Sequence, residues 1–249
     1  MGRLTMLTEI RWLISTKKTV FVVAQPSSPH NNMRTVELFS GTKSFSKVMA
    51  AHGHETFTVD NSFEYRPDVC KDIFDVAATD LPQPIDILWA SPPCTTFSVA
   101  SIGHYWTNGL PKNDKSRLGI RILEKGIELI ALSKPKWWFI ENPRGMMRKV
   151  IDEIFERHNL KPIRHTVTYC QYGAKIQKPT DIWTNAEWWK PKPKCSPGAD
   201  CHERAGRGAK SGVQGVYNVK WEKERGSSAM ERGRIPPALF EEILEQMPK

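Results

Sequence analysis

Apolar positions along the chain fall in short runs, each closed by turn-forming residues. Residues 35–39 are an apolar, β-prone run that stops at Ser40-Gly41-Thr42. Residues 45–52 then read as a helix that ends at Gly53, a residue suited to a helix C-terminus. Residues 55–59 form a second short strand closed by Asp60-Asn61, and Val69-Cys70 is a strand fragment. A further run over 85–90 ends at Ser91-Pro92-Pro93. A helix is predicted over 117–133, with Leu118, Ile122, Gly126, Leu129 and Ile130 on one face. Residues 137–140 form a strand ending at Glu141-Asn142-Pro143, and 147–158 another helix. Strands alternating with helices across short turns specify βαβ units and a mostly parallel sheet, hence an α/β fold. No internal repeat is present.

The two ends of this pattern differ from its centre. Residues 1–33 hold one acidic residue, Glu9, against Arg3, Arg11, Lys17 and Lys18. They end in a Pro/Ser/Asn-rich stretch over 25–32 that reads as a linker, after a helix over 7–14 and a strand over 19–23. Met33 is a candidate alternative start. Beyond Trp183 the texture changes again. Residues 186–227 are rich in Pro, Lys, Gly and Trp without a sustained period, and read as a small, basic, loop-rich insert. A Pro-preceded helix over 238–246 resumes the regular pattern. The division is therefore 1–33 extension and linker, 34–185 core, 186–227 insert and 228–249 return to the core.

Composition narrows the classes. With 39% hydrophobic and 25% charged residues in 249, the chain is globular rather than disordered. No apolar run approaches the ~20 residues of a spanning helix, so no membrane partner is expected. No N-terminal stretch has the form of a secretory signal. Five scattered cysteines point away from a disulfide scaffold and toward a reducing cytoplasm. The formal net charge of +9 leans toward a polyanionic partner.

In open α/β sheets ligands bind beyond the carboxyl ends of the strands, and the unusual residues fall there. Gly41, after the first strand, permits a tight turn and close approach of a ligand to backbone. Asp60 stands where a carboxylate meets ribose hydroxyls, and Asp72-Ile73 where an adenine edge is met. Each acid alone reads equally as a solvated loop residue; in this order they suggest a nucleoside cofactor site. Pro92-Pro93 leaves Cys94 few conformations, so its sulfur is presented to a ligand; the alternative is a small buried apolar residue. Glu141 follows the very apolar Trp137-Trp138-Phe139-Ile140, walls that disfavour its charged form. The alternative role for it is capping a helix.

These residues resemble, over most of 35–243, the cytosine C5 DNA methyltransferases, most closely the compact phage and prophage members. The stretch 36–42 resembles the S-adenosylmethionine loop, and 91–98 the nucleophile loop. Ile140-Glu141-Asn142-Pro143 resembles the base-gripping motif and Gln171-Tyr172-Gly173 with Gln177 a later motif. Residues 234–239 resemble the terminal motif that returns to the cofactor. The resemblance implies a Rossmann-like S-adenosylmethionine-dependent sheet with 186–227 as a target-recognition insert. It implies Cys94 and Glu141 as catalytic residues. Phe39, Ser40, Gly41, Thr42, Asp60, Asn61, Asp72, Ile73 and Pro92 would face the cofactor. Pro93, Asn142, Pro143, Gln177 and Lys178 would face the substrate.

The implied partner is DNA with its cytosine flipped from the stack, bound by a monomer in the cytoplasm of a bacterium or phage-infected host. Cys94 would add to C6, Glu141 would protonate N3, and C5 would take the methyl group. The short insert implies a short or relaxed recognition sequence. RNA as substrate, a catalytically silent nucleic-acid binder, and transfer of a modified S-adenosylmethionine-derived group are the alternatives.

Several residues depart from the family pattern. Lys43-Ser44 replaces the second glycine of the cofactor loop, and Thr95 follows the nucleophile. Pro179 and Asp181 fall where two arginines are expected, so Lys175 or Lys178 must supply the charge. Gly233 or Arg234 stands where an Asn precedes the Pro-Pro step. Trp188, Trp189 and Trp221 either pack a small insert core or stack on bases. Cys195, Cys201 and His202, with Cys170, offer a four-ligand zinc set; a wide Cys–Cys gap and adjacent Cys-His leave free thiols as the other reading. Cys70 is expected to be buried and inert.

Overall fold

The computed structural model describes residues 32–196, 199–202 and 233–248. The helix over 7–14, the strand over 19–23, and residues 203–227 of the insert with Trp221 lie outside the described residues. β1 (Arg34–Leu38), β2 (Glu55–Asp60), β3 (Val69–Cys70) and β4 (Ile87–Ala90) are linked by α1 (Ser44–Ala51) and short 3₁₀ turns. Then come α2 (Ile102–Tyr105), a hairpin of β5 (Trp106–Thr107) and β6 (Leu110–Pro111), and the long α3 (Asp114–Ser133). β7 (Trp137–Pro143), α4 (Ile151–Arg157), β8 (Ile163–Thr168), β9 (Pro179–Thr184) and α5 (Pro237–Gln246) follow.

The main sheet has seven strands in the order β3-β2-β1-β4-β7-β9-β8. β3, β2, β1, β4 and β7 run parallel, while β9 runs antiparallel to both neighbours. Parallel strands covered on both faces are apolar throughout, and β4 (Ile-Leu-Trp-Ala) is wholly buried. Its side chains alternate between two cores. Leu88 and Ala90 join Leu123, Ile127 and Ile130 of α3 and Phe155 of α4. Ile87 and Trp89 join Phe45 and Met49 of α1 and Phe240 and Ile243 of α5. Trp89 stacks between Phe45 (5.8 Å) and Phe139 (5.6 Å), with Phe240 edge-on at 4.8 Å. Each such pair adds about 0.5–1.5 kcal/mol beyond burial. Strand order reverses between β1 and β4, so a crevice opens there at the carboxyl ends.

Several expectations are corrected. α3 starts three residues earlier than its periodicity predicts, because Asn113 and Ser116 form a reciprocal cap with both bonds at 3.1 Å. Its buried line adds Gly119, Leu123 and Ile127 to the expected Gly126, Leu129 and Ile130, whereas Leu118 is 43% exposed. The glycines set this face: a Cβ on Gly126 would lie 3.1 Å from the Phe39 ring, and one on Gly119 2.3 Å from Thr96 Oγ1. The helix expected over 147–158 is split into a 3₁₀ turn, Met146–Lys149, and α4. β7 continues through Pro143 because β9 pairs with it, Glu141 opposite Ile182 and Asn142 opposite Asp181. The sequence pattern assigns no range to β8 or β9. Cys70 is exposed, since β3 is the outermost strand.

Ala186 and Trp189 are fully buried in the α1/α5 core, and Trp188 packs against Trp137 at 5.4 Å. The first two tryptophans assigned to the insert thus complete the sheet's own core. α5 packs on α1, returning the C-terminal segment to the β1 end of the crevice. No helix among the described residues is long and apolar enough to cross a membrane.

Candidate active site

The loop after β4 is anchored from several sides. Asn142 Nδ2 donates to Pro92 O at 2.8 Å, and the Trp89 indole N–H donates to Ser91 Oγ at 2.8 Å. Past Cys94, the N–H groups of Phe97 and Ser98 both donate to Cys94 O at 3.0 Å. Trp106 Nε1 donates to Thr96 O at 2.6 Å, and Met146 N to Phe97 O at 2.7 Å. Gly145 makes that last approach possible, because a Cβ there would lie 2.0 Å from Phe97 O. The loop carries Cys94 exposed at the wall of the crevice.

Cys94, Glu141, Lys178, Pro92 and Pro143 line one cavity of about 300 Å³. Its other wall is the turn after β1, Phe39, Ser40, Gly41 and Thr42, with Gly233 and Ile235 from the C-terminal segment. An adjoining cavity of about 260 Å³ takes in Asp60, Asn61, Asp72, Ile73 and Pro93. The two share Phe39, Tyr65 and Ser91 and make one groove. The expected cofactor residues and the expected catalytic pair therefore line a single groove.

Glu141 is buried at the end of β7, and Tyr169 donates its phenol proton to Glu141 Oε1 at 2.8 Å. Burial raises the Glu141 pKa, opposed by Lys178 and by bonds from Tyr169 and Ser91. The Cys94 thiol is also raised, first by desolvation and then by the Glu141 carboxylate, with Lys178 opposing. Both groups are thus biased toward their neutral forms. Lys178 has a left-handed backbone (φ 32°) and holds Nζ 4.8 Å from the Tyr169 ring centre. Among the described residues it is the cation that lines the cavity; Lys175 lines a different pocket, beside Tyr172 and Arg234.

The turn after β1 is built on left-handed backbone at Phe39 (φ 58°), Gly41 (φ 42°) and Lys43 (φ 57°). Lys43 thus adopts the conformation a glycine would take most easily, and its Nζ donates to Arg66 O at 2.6 Å. Asp60 holds the turn, accepting from Gly41 N and Ser62 N, each at 2.8 Å. Asp72 Oδ1 accepts from Phe74 N at 3.0 Å. A carboxylate retains further lone pairs, so both acids keep acceptor capacity toward the groove. Glu37 accepts from Phe45 N (3.3 Å) and Ser46 N (2.9 Å) at the start of α1, and burial pushes its pKa up to about 7. The Ser40 hydroxyl is buried without a protein partner on the cavity wall, and space beside Gly41 is open. An open turn with an unmatched hydroxyl suits a polar cofactor held against backbone. Ile235 N reaches Ser44 Oγ at 3.4 Å, joining the C-terminal segment to the same turn.

Gln177 does not line the groove: its Nε2 donates to Cys195 Sγ at 2.9 Å, and its carbonyl accepts from Tyr169 N at 2.8 Å. Cys170, Cys195, Cys201 and His202 converge, with four ligand atoms within 4.8 Å of one another. Tyr169 and Ser91 escaped the sequence reading as site residues. Tyr169 lies two residues before the Gln171-Tyr172-Gly173 motif, the one local signal near it. Asp181 is wholly buried, takes two hydrogen bonds from the Arg148 guanidinium and one from Thr166 Oγ1 (2.7 Å), and secures β9 beside Glu141.

The sheet order, the reversed strand β9 and the groove at the strand-order switch make this a Rossmann-like α/β fold of the S-adenosylmethionine-dependent methyltransferase class. The family described as C-5 cytosine-specific DNA methylase matches residues 33–174. A protein of Frog virus 3 (isolate Goorha) named "Probable DNA (cytosine-5)-methyltransferase" is 30% identical over 223 residues, 86% of this chain and 99% of its own length. The chain belongs to the C-5 cytosine-specific DNA methylase family.

Among solved structures, a candidate DNA modification methyltransferase encoded within an Escherichia coli prophage is 17% identical. The match covers 65% of this chain and 51% of that one, with a TM-score of 0.46. For the Schizosaccharomyces pombe Dnmt2 methyltransferase the values are 13%, 61%, 48% and 0.42. The chain spans about half the length of these two.

Proposed function

We propose that the protein methylates C5 of cytosine in DNA, with Cys94 as nucleophile and Glu141 as the acid that grips the base. The observation that carries this reading is the placement of both side chains on one cavity, continuous with the Asp60/Asp72 groove. Phe39, Ser40, Gly41, Thr42, Asn61 and Ile73 fit a bound S-adenosylmethionine, with Asp60 and Asp72 as acceptors for its hydroxyl and amino groups. When bound, that cofactor supplies an electrophilic methyl group.

The chain's own residues create the nucleophile that accepts it. Cytosine C5 is too electron-poor to react unaided. The Cys94 thiolate adds to C6, forming an S–C6 bond and moving electron density to C5. Glu141, biased toward its protonated form, delivers a proton to N3 and so neutralises the charge that develops there. After C5 is alkylated, a solvent base takes the C5 proton, the Cys94–C6 bond breaks with its electrons returning to sulfur, and N3 gives its proton back to Glu141, which restores the ring and both side chains. Lys178, on the same wall, offsets negative charge on the thiolate. Asn142 holds Pro92 O and so fixes the sulfur relative to the base, while Pro143 closes one side and Pro93 faces the adjoining Asp60/Asp72 cavity. The ring cannot reach Cys94 from within a stacked duplex, so the cytosine is flipped out or offered single-stranded. The protein acts as a monomer.

Transfer of labelled methyl groups to DNA, with RNA as a parallel substrate, tests the reading. Cys94→Ala is expected to abolish transfer while DNA binding persists. Transfer preserved in that variant, or a product mass other than one methyl increment, would overturn it.

A further inference from the structure

We propose that Cys170, Cys195, Cys201 and His202 bind one zinc ion, and that this ion staples the segment after β9 to the end of β8 directly beneath the partner of Glu141. The four ligand atoms lie within 4.8 Å of one another, and three of their separations are close to those of a coordination shell. Cys170 Sγ lies 3.3 Å from Cys195 Sγ, and His202 Nδ1 lies 3.5 Å from Cys201 Sγ and 3.9 Å from Cys195 Sγ. Zinc–sulfur bonds of about 2.3 Å and zinc–nitrogen bonds of about 2.0 Å give tetrahedral edges of roughly 3.5–3.8 Å. A disulfide accounts for two of the four groups at most, and its sulfurs would be about 2.05 Å apart. Three thiols and an imidazole are a soft donor set that selects zinc over calcium or magnesium.

The surroundings are those of a metal site. Gln177 Nε2 donates to Cys195 Sγ at 2.9 Å, and Gln171 Nε2 approaches Cys201 Sγ at 3.4 Å. Amide donors of this kind orient metal-bound thiolates and spread their charge. The adjacency of Cys201 and His202 is accommodated because the near ring nitrogen, Nδ1, is the one turned toward the sulfurs. Residues 190–196 and 199–202 have no helix or strand to hold them. A loop-rich piece of that kind gains most from a metal staple.

The position links the ion to the base pocket. Cys170 shares a 3₁₀ turn with Tyr169, whose hydroxyl holds Glu141, and Gln177 is one residue from Lys178. A filled site therefore fixes both groups that set the Glu141 environment. This coupling rests on the proposed role of Glu141; the metal itself does not.

Elemental analysis of the full chain purified without chelator is expected to give one zinc per chain. Cobalt substitution is expected to give the visible bands of tetrahedral thiolate ligation. Cys195→Ser and Cys201→Ser should bind zinc at least about tenfold more weakly, and Gln177→Ala about tenfold. Cys70→Ser serves as a control that keeps full occupancy. Should the ligand variants fail to fold, release of zinc from the unaltered chain by a mercurial thiol reagent, read with a metal indicator, gives the same answer. Absence of stoichiometric metal, a Cys170–Cys195 disulfide in the purified chain, or equal zinc loss in Cys70→Ser would overturn the proposal. Zinc bound with no methyl transfer would leave the site standing and reject only the catalytic reading.

Discussion

Cys94 and Glu141 are each biased toward the neutral form, yet the proposed reaction needs a thiolate beside a protonated carboxyl. The thiol's ordinary value lies far above the carboxyl's, so the rate should climb with pH until Glu141 loses its proton, hold level while the gain in thiolate offsets the loss of acid, and fall once Cys94 is fully ionised. Tyr169→Phe removes a hydrogen bond that favours the Glu141 carboxylate. The Glu141 pKa then rises further, so the ascending limb of the pH–rate profile is expected to level off at higher pH. The loss of about 1 kcal/mol of positioning should lower kcat about fivefold. An unmoved limb would detach Tyr169 from the acid.

Glu37 offers a separate test. Its carboxyl is near its ordinary value of 4.5 in the unfolded chain and about 7 when folded. Its favourable contribution is complete below the lower value and is lost as pH rises through the upper one, by about 3 kcal/mol. Denaturant titrations at pH 5 and pH 8 should show this fall, and Glu37→Gln should flatten it. Glu37 was legible only as part of a motif; its burial against the start of α1 depends on how the helix sits on the sheet.

At the scale of elements, the nucleophile loop and the 3₁₀ turn after β7 are held together through Gly145. Gly145→Ala would drive a Cβ to 2.0 Å from Phe97 O, where only backbone movement can relieve the contact. The expected result is a melting temperature lower by several degrees, from a cost of about 1–3 kcal/mol, and a larger fall in kcat than in DNA affinity. Thermal denaturation and steady-state kinetics on the same preparation separate the two. The alternation of β and α elements up to β7 was readable, because the periods are local and the turns carry Gly, Pro and Asp. The β8–β9 pair was not. Residues 163–168 (Ile-Arg-His-Thr-Val-Thr) and 179–184 (Pro-Thr-Asp-Ile-Trp-Thr) mix polar and apolar positions, and become strands through pairing with β7 and burial of Asp181 against Arg148.

At the scale of the molecule, the net charge of +9 predicts that phosphate contacts dominate DNA affinity. Raising salt from 50 to 200 mM should weaken binding by tenfold or more, with a linear log–log slope whose size counts the phosphates engaged. A flat response would show that the basic excess does not meet DNA. Sedimentation at working concentration should show one chain per particle.

Residue types and their order along the chain sufficed to specify the parallel half of the sheet, the turn that follows β1, the proline-held Cys94 and the candidate acid Glu141. Each rests on a local period or a short motif, and local signals survive in one dimension. Tertiary structure alone decided that β7 runs on through Glu141, that Tyr169 joins Lys178 beside it while Gln177 turns to Cys195, and that the candidate ligands Cys170, Cys195, Cys201 and His202 converge. Those meetings depend on an antiparallel hairpin closing the sheet's edge and on chain segments 25 or more residues apart, whose pairing no local pattern encodes.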